Sequence, residues 1–369
     1  MFQGFMPLTI VLVMFLFGGI AGFVMHRSDF CLAGMFRDLF LFRSVAMLRV
    51  LLLLIVASMT LFELARLAGL LRVPFPLFGA PSLVNPLGGA LFGIGMVLAG
   101  GCVVGTLYKM GAGSLPSLLA FLGLLAGSAL YAEFHPWWAR LSRSTTLTTQ
   151  VTLPQMLGIP PALPVAITIV VAVCVFRRWF RLGLLSQPAF AEGYLQPWKA
   201  ALWLALLGLG SVLLVGMPFG ITTAYAKMGG FFESLLFPRH VASLTYFMAE
   251  PLQFTHPFFG FSLHGGAGQR LDGIVLVQLP VILGIMLGSA FSAVRLGEWK
   301  FYTKVPLKQC VWAMFGGIMM GLSARMAPAC NVWHLMGGAP IFAGQSLLFI
   351  AGLFPGAWIG SRILVRYVI

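Results

Sequence analysis

Acidic residues are scarce in this sequence. Nine Asp and Glu stand against 23 Lys and Arg, a formal net charge of +14 over 369 residues. Charge of either sign is rare, at 9 % of the chain, while hydrophobic residues make up 60 %. With a mean hydropathy of +0.97, the chain carries too much apolar surface for a water-soluble domain. The strict polar–apolar alternation of barrel strands is also missing. The apolar runs are continuous, which implies helices. The five cysteines (Cys31, Cys102, Cys174, Cys310 and Cys330) form no CxxC pair. Their odd number argues against a disulfide framework, and the lack of a resolving partner argues against thiol redox catalysis. No GxxxxGK[ST] loop is present, so this chain does not hydrolyse ATP. The basic residues form no compact patch of the kind that binds nucleic acid. The first apolar run, residues 6–25, has neither a basic start nor an A-x-A site after it, and reads as a span rather than a cleaved signal.

What is present is a series of apolar runs long enough to cross a bilayer. The expected spans are 6–25, 45–71, 87–110 (broken), 115–134, 162–176, 198–216, 273–296, 310–336 (broken) and 344–367. Arg177, Arg178 and Arg181 mark one cytoplasmic end, and Arg295, Lys300, Lys304 and Lys308 another. An even number of crossings must separate these anchors. Residues 239–272 therefore read as a dip or surface hairpin, and the count becomes nine, with the N-terminus outside. The fold class is all-α: a polytopic membrane protein with about nine transmembrane helices plus short broken or re-entrant helices.

The chain also repeats itself. "GGALFGIGMVLAGGC" (88–102) matches "GGIMMGLSARMAPAC" (316–330) at five of fifteen positions without a gap, and the matches include three glycines and the cysteine. "SLLAFLGLLAGS" (117–128) then matches "SLLFIAGLFPGA" (346–357) at six of twelve. A weaker echo pairs Phe30-Cys31 with Phe219-Gly220. With one linking span between the units, the second copy is inverted. The expected division is a first repeat over 1–135, a linker over 136–197 and a second repeat over 198–369.

Three stretches with helix breakers carry a cysteine: "HRSDFCLAGMFRD" (26–38), "GGCVVGTLYK" (100–109) and "APACNVWH" (327–334). A fourth, "MPFGITTAYAK" (217–227), puts Gly220 at the corresponding place. Irregular backbone at membrane depth is tolerated only where protein or a polar pathway surrounds it. Short helices starting here would aim their free N–H groups at the cysteines, and helix N-termini attract anions. The thiol adds a soft, polarisable contact. That combination suits a sulfur-containing anion better than sulfate or phosphate. The candidate substrate-contacting set is Cys31, Cys102, Cys330, Gly101, Gly220, Lys109, Arg325, Asn331 and His334, with no metal and no cofactor.

Plainer readings stand beside these. Cys174 and Cys310 lack a flanking breaker and read as packing residues. Lys109 either lines the pathway or snorkels from a helix end. Arg325 is costly at depth and functional by default, unless a backbone carbonyl pairs it. His334 is either a pathway lining or a satisfied interior histidine. Glu63 and Arg66, three residues apart, neutralise each other. The glycine-rich spans serve close helix packing. Competing functions are a membrane thiol-redox protein and a soft-metal transporter, the latter because Cys, Met and His suit Cu(I).

"RSDFCLAGMFRD", "GGCVVGTLYKMGAG" and "RMAPACNVWHLMGG…GLFPGAWIG" resemble the YeeE/YedE family of bacterial inner-membrane proteins, over nearly the whole chain. The resemblance implies an hourglass-shaped inverted repeat that takes up thiosulfate. In it, three cysteines, here Cys31, Cys102 and Cys330, pass the anion inward by weak S–H···S contacts. It also implies selenium or sulfane-sulfur species as alternative cargo, and a small cytoplasmic sulfur-carrier protein as a partner. Residues 229–270, with histidines at 240, 256 and 264, depart from the family pattern.

Overall fold

The computed structural model describes residues 2–187, 193–302 and 304–368, with side chains from residue 7 onward. Its helices, in chain order, are α1 (Phe2–Ser28), α2 (Leu32–Leu41), α3 (Ala46–Leu67), α4 (Val84–Leu98), α5 (Val103–Gly111), α6 (Leu115–Ser144), α7 (Leu153–Leu157), α8 (Ala162–Arg181), α9 (Pro197–Val215) and α10 (Thr222–Leu236). Two short pieces follow, α11 (Pro238–Ser243) and α12 (Thr245–Met248), then α13 (Gly273–Arg295), α14 (Leu307–Met326) and α15 (Gly344–Ile363). A π-helical turn over Trp333–Gly338 bridges α14 and α15. The described residues contain one departure from an all-α fold, a hairpin of β1 (Leu252–Thr255) and β2 (Ser262–Gly265). It lies inside the expected surface segment 239–272.

Local chemistry sets these boundaries. Asp272 caps α13 by accepting from the N–H groups of Ile274 and Val275. Ser114 caps α6, with Pro116 in its first turn. Gly216 closes α9 in the left-handed region. Eight segments are long and apolar enough to cross a membrane, two of them formed by α1 with α2 and by α4 with α5. The expected nine includes α14, which is 20 residues long but carries Gln309, Ser323 and Arg325 and is the more polar for it. The fourth span outruns its expected end at residue 134, since α6 continues to Ser144 through Pro136. Pro136 lies inside α6 and removes one backbone hydrogen bond there.

Glycine brings the helix backbones together. A Cβ on Gly89 would lie 2.0 Å from the Phe349 carbonyl, and one on Gly321 would lie 2.3 Å from that of Leu124. The first contact joins α4 to α15 and the second joins α14 to α6. Gly18 and Gly22 likewise meet Val281 and Ile285, which clamps α1 to α13. Small residues that allow such approach are the means by which helices associate where water cannot drive them together. The packing comes in matched pairs: α6 runs along α14 as α15 runs along α4, and α10 lies on α6 as α2 lies on α15.

Candidate functional site

Each cysteine turn is built on a left-handed residue. Asp29 (φ 46°) stands two residues before Cys31, Gly100 (φ 68°) two before Cys102, and Ala329 (φ 103°) directly before Cys330. Glycine adopts this conformation freely. Asp29 and Ala329 hold it at a cost of about 1–3 kcal/mol each, which the surrounding packing must offset. After each reversal a helix restarts. Cys31 and Cys102 are the N-cap residues of α2 and α5, and the Cys330 carbonyl accepts from the N–H of His334 at 3.1 Å, opening the third short helix. At the fourth turn α10 also restarts, just after Gly220 and Ile221, but without a left-handed residue at Gly220.

The sulfurs converge. Cys102 Sγ accepts from the N–H of Gly105 at 3.3 Å. A Cβ on Gly105 would lie 3.4 Å from Cys102 Sγ and also 3.4 Å from Cys31 Sγ. The backbone N–H groups of Val332 and Trp333 face the Cys330 sulfur. Cys330 also lines a small cavity of about 30 Å³ with Phe30, Val104, Gly220 and two adaptable methionines, Met25 and Met336. All three cysteines are buried, Cys102 and Cys330 fully.

A larger space opens on either side of this constriction. One, of about 440 Å³, is lined by Arg325, Thr222, Thr223, Tyr246, Gln278, Trp333 and Gly220 among others. Gly220 therefore borders both this vestibule and the cysteine cavity, and a Cβ there would meet the Trp333 ring at 2.8 Å. The other vestibule, of about 630 Å³, is lined by Asp29, Tyr108, Lys109, Tyr194, Glu298 and Lys300 among others. The two lie at opposite ends of α13, one near Ile274 and Gln278 and the other near Gly297 and Glu298. A helix of 23 residues spans about 34 Å, so the vestibules face opposite sides of a bilayer. Tyr108 links the second vestibule to the cysteines, because its hydroxyl donates at 3.3 Å to Asp29, which begins the turn before Cys31. In the same vestibule burial, followed by a bond to Glu298, pushes the Tyr194 hydroxyl up to about 12, so it stays a donor.

The expected residues separate on this map. Lys109 lines the second vestibule, and its Nζ donates to the Gly100 carbonyl at 2.7 Å, which ties down the turn before Cys102. Gly101 lets that turn close, since a Cβ would sit 3.2 Å from the Thr106 nitrogen. Arg325 is bound by hydroxyls rather than by a backbone carbonyl. It donates to Thr223 Oγ1 at 3.1 Å, to the Tyr246 hydroxyl at 3.4 Å and to Thr222 Oγ1. Asn331 is fully buried, and both of its amide atoms lack a hydrogen-bond partner among the described residues. His334 is held in the packing: Nδ1 meets Ser346 Oγ at 2.8 Å, the ring stacks on Phe349 at 4.2 Å, and it borders none of these three cavities. Glu63 and Arg66 pair as expected, at 2.6 Å. Cys174 is exposed on α8, and Cys310 is buried within α14, away from any helix break. Residues that sequence reading passed over include Gly105, Tyr108 and Tyr225. The Tyr225 hydroxyl is buried without a partner among the described residues, within electrostatic reach of Cys330 and Cys102.

The arrangement offers a buried set of thiols, each at a helix start, between two open vestibules. It can hold a small anion by N–H groups and soft sulfur contacts and pass it on without covalent chemistry. Comparison with known proteins agrees. Residues 27–359 match the family described as sulphur transport. A thiosulfate transporter of Spirochaeta thermophila is 28 % identical over 96 % of this chain and 99 % of its own length. One from Escherichia coli is 26 % identical over 93 % of this chain and 92 % of its own. A probable transporter of Salmonella typhimurium is 31 % identical, over 32 % of this chain and 29 % of its own.

Proposed function

The chain belongs to the sulphur transport (YeeE/YedE) family, and from that membership we propose that it is a permease for thiosulfate or a closely related sulfur anion. The observation that carries the reading is the convergence of the Cys31 and Cys102 sulfurs on Gly105, with Cys330 beside a cavity that adjoins the far vestibule. In this reading the anion meets Cys330 first, moves to Cys102 and Cys31, and leaves past Tyr108 and Asp29. The thiols stay reduced throughout. Each donates a weak S–H contact to the terminal sulfur while helix N–H groups offset the anion's lost hydration. Gly101 and Gly220 keep the backbone close to the path, Lys109 fixes the exit turn, and Asn331 and His334 shape the Cys330 turn. The protein acts as a transporter and not as an enzyme.

The same reading sets orientation and organisation. Arg27, Arg295, Lys300, Lys304 and Lys308 gather at the Tyr108 end of the molecule, which makes that end cytoplasmic by the positive-inside rule. The membrane is the bacterial inner membrane. The matched packing pairs support two inverted halves, residues 1–135 and 198–369, joined by 136–197. A small cytoplasmic sulfur-carrier protein would receive the anion at the inner vestibule. The test is growth of a bacterium lacking its own sulfur uptake, with this chain expressed and thiosulfate, sulfate or cystine as sole sulfur source. Rescue on thiosulfate alone is expected. No rescue on thiosulfate, with the protein present in the membrane, overturns the assignment.

A further inference from the structure

Arg325 is unusual among the cations of this molecule. Lys227 and Arg325 are its buried Lys and Arg side chains. Lys227 is neutralised by Asp272 at 2.7 Å, whereas no carboxylate pairs with Arg325 among the described residues. Its contacts are hydroxyl oxygens, which solvate a guanidinium but do not cancel its charge, and Nε has no partner among the described residues. The residue is 9 % exposed, and it lines the 440 Å³ vestibule. Thr222 and Thr223, which it grips, form the first turn of α10. A helix N-terminus carries about half a positive charge. A buried cation is thus held against a helix end of the same sign, an arrangement that opposes itself unless an anion neutralises both.

We propose that this vestibule contains an oxyanion subsite, centred on Arg325 and the first turn of α10, that captures the substrate before the cysteines do. The inference rests on the transport reading above and extends it to selectivity. Arg325 stands five residues before Cys330, and the vestibule reaches Ala329 and Trp333 on either side of that cysteine. An anion bound through its oxygens at Arg325 presents its other end to Gly220 and the Cys330 cavity. Two chemically distinct stations follow in series: a hard one that takes the sulfonate-like oxygens, and a soft one that takes the terminal sulfur. A substrate must satisfy both. Sulfate satisfies only the first and hydrosulfide only the second. The subsite therefore takes small oxyanions as a class, and the cysteines decide which of them goes on.

Uptake of 35S-labelled thiosulfate separates the possibilities. Cells carry wild type, Arg325→Gln, Arg325→Lys or Cys330→Ser, and membrane abundance is measured alongside. Wild-type uptake should be inhibited by excess sulfate and methanesulfonate, although neither is carried. Arg325→Gln should raise the half-saturating concentration at least about tenfold and abolish that inhibition, with Arg325→Lys between the two. Cys330→Ser should lower the maximal rate and leave oxyanion inhibition in place. If Arg325 only braces α10, Arg325→Gln will lower abundance and maximal rate while half-saturation and inhibition stay at wild-type values, and the subsite is refuted. Should the glutamine variant fail to reach the membrane, wild type still decides: thiosulfate uptake indifferent to a large excess of both oxyanions refutes it too. Absence of thiosulfate uptake by wild type would instead overturn the transport reading on which the subsite depends.

Discussion

Gly105 is the residue on which the cysteine stage turns. It has no side chain where two sulfurs meet, and it supplies the N–H that Cys102 accepts. Gly105→Ala is compatible with the α5 helix and even favours it by about 1 kcal/mol. Its methyl group would nevertheless stand between Cys31 and Cys102. The expected outcome is normal membrane abundance with uptake reduced on the order of tenfold to a hundredfold, and wild-type uptake would remove the convergence point from the path. Cys174→Ala and Cys310→Ala should transport like wild type, because neither thiol sits at a helix break. The position of the three cysteines at helix breaks was legible in sequence, since breakers and a repeated motif marked them. Gly105 was not legible. Its meaning comes from Cys31, seventy-four residues earlier, and no local pattern encodes that meeting. Tyr225 was hidden for the same reason, as one more aromatic in a chain that is 13 % aromatic.

Among elements, the long helices were read well and their surroundings less well. Continuous apolar runs fix a transmembrane helix almost alone, so most expected spans match within a few residues. The short pieces depend on tertiary partners. The first turn of α10 is held by Gln278 of α13, whose side-chain oxygen accepts from the Ala224 N–H at 2.8 Å. The hairpin of β1 and β2 rests on His256, whose ring bonds the Leu213 carbonyl and stacks with Phe261. Neither bond can be read from spacing. Two tests belong at this scale. Gly321→Val should destabilise the α6–α14 contact by about 1–3 kcal/mol, read as a lower unfolding temperature in detergent. The second concerns α11, where His240 meets Glu133 of α6 at 2.5 Å with Glu233 at 4.0 Å. The bond to Glu133 raises the His240 pKa above its ordinary 6.5. The raised value means that the link is fully formed below pH 6.5 and is lost as pH climbs through the higher folded value. Hydrogen exchange in α11 should therefore quicken on the alkaline side and stay pH-independent in a His240→Gln variant, beyond the intrinsic base-catalysed rate.

For the molecule as a whole, the test of the inverted arrangement is its sidedness. Impermeant labelling of single introduced cysteines should place residue 260 in the periplasm and Arg181 and Lys304 in the cytoplasm. A cytoplasmic signal at residue 260 would sink the inverted repeat. The glycines and the cysteine in phase made the internal sequence similarity legible, while the vestibules were not, since they are spaces between elements distant in sequence. The narrow cavity at Cys330, about 30 Å³, has one more consequence, and it is electrical. It has room for about one water molecule. The packed stretch that holds it lies between two open vestibules, and the transmembrane voltage falls mainly across such packed protein. Moving one elementary charge through 100 mV is worth about 2.3 kcal/mol, and a doubly charged anion feels roughly twice that. With the cell interior negative, the field pushes such an anion back out across the packed stretch around Cys330 and Cys102. Inward flux through this protein should then rise when the membrane is depolarised at constant pH, unless cations travel with the anion. In proteoliposomes clamped with potassium and valinomycin, a rate indifferent to voltage would mean that the moving species is electrically neutral.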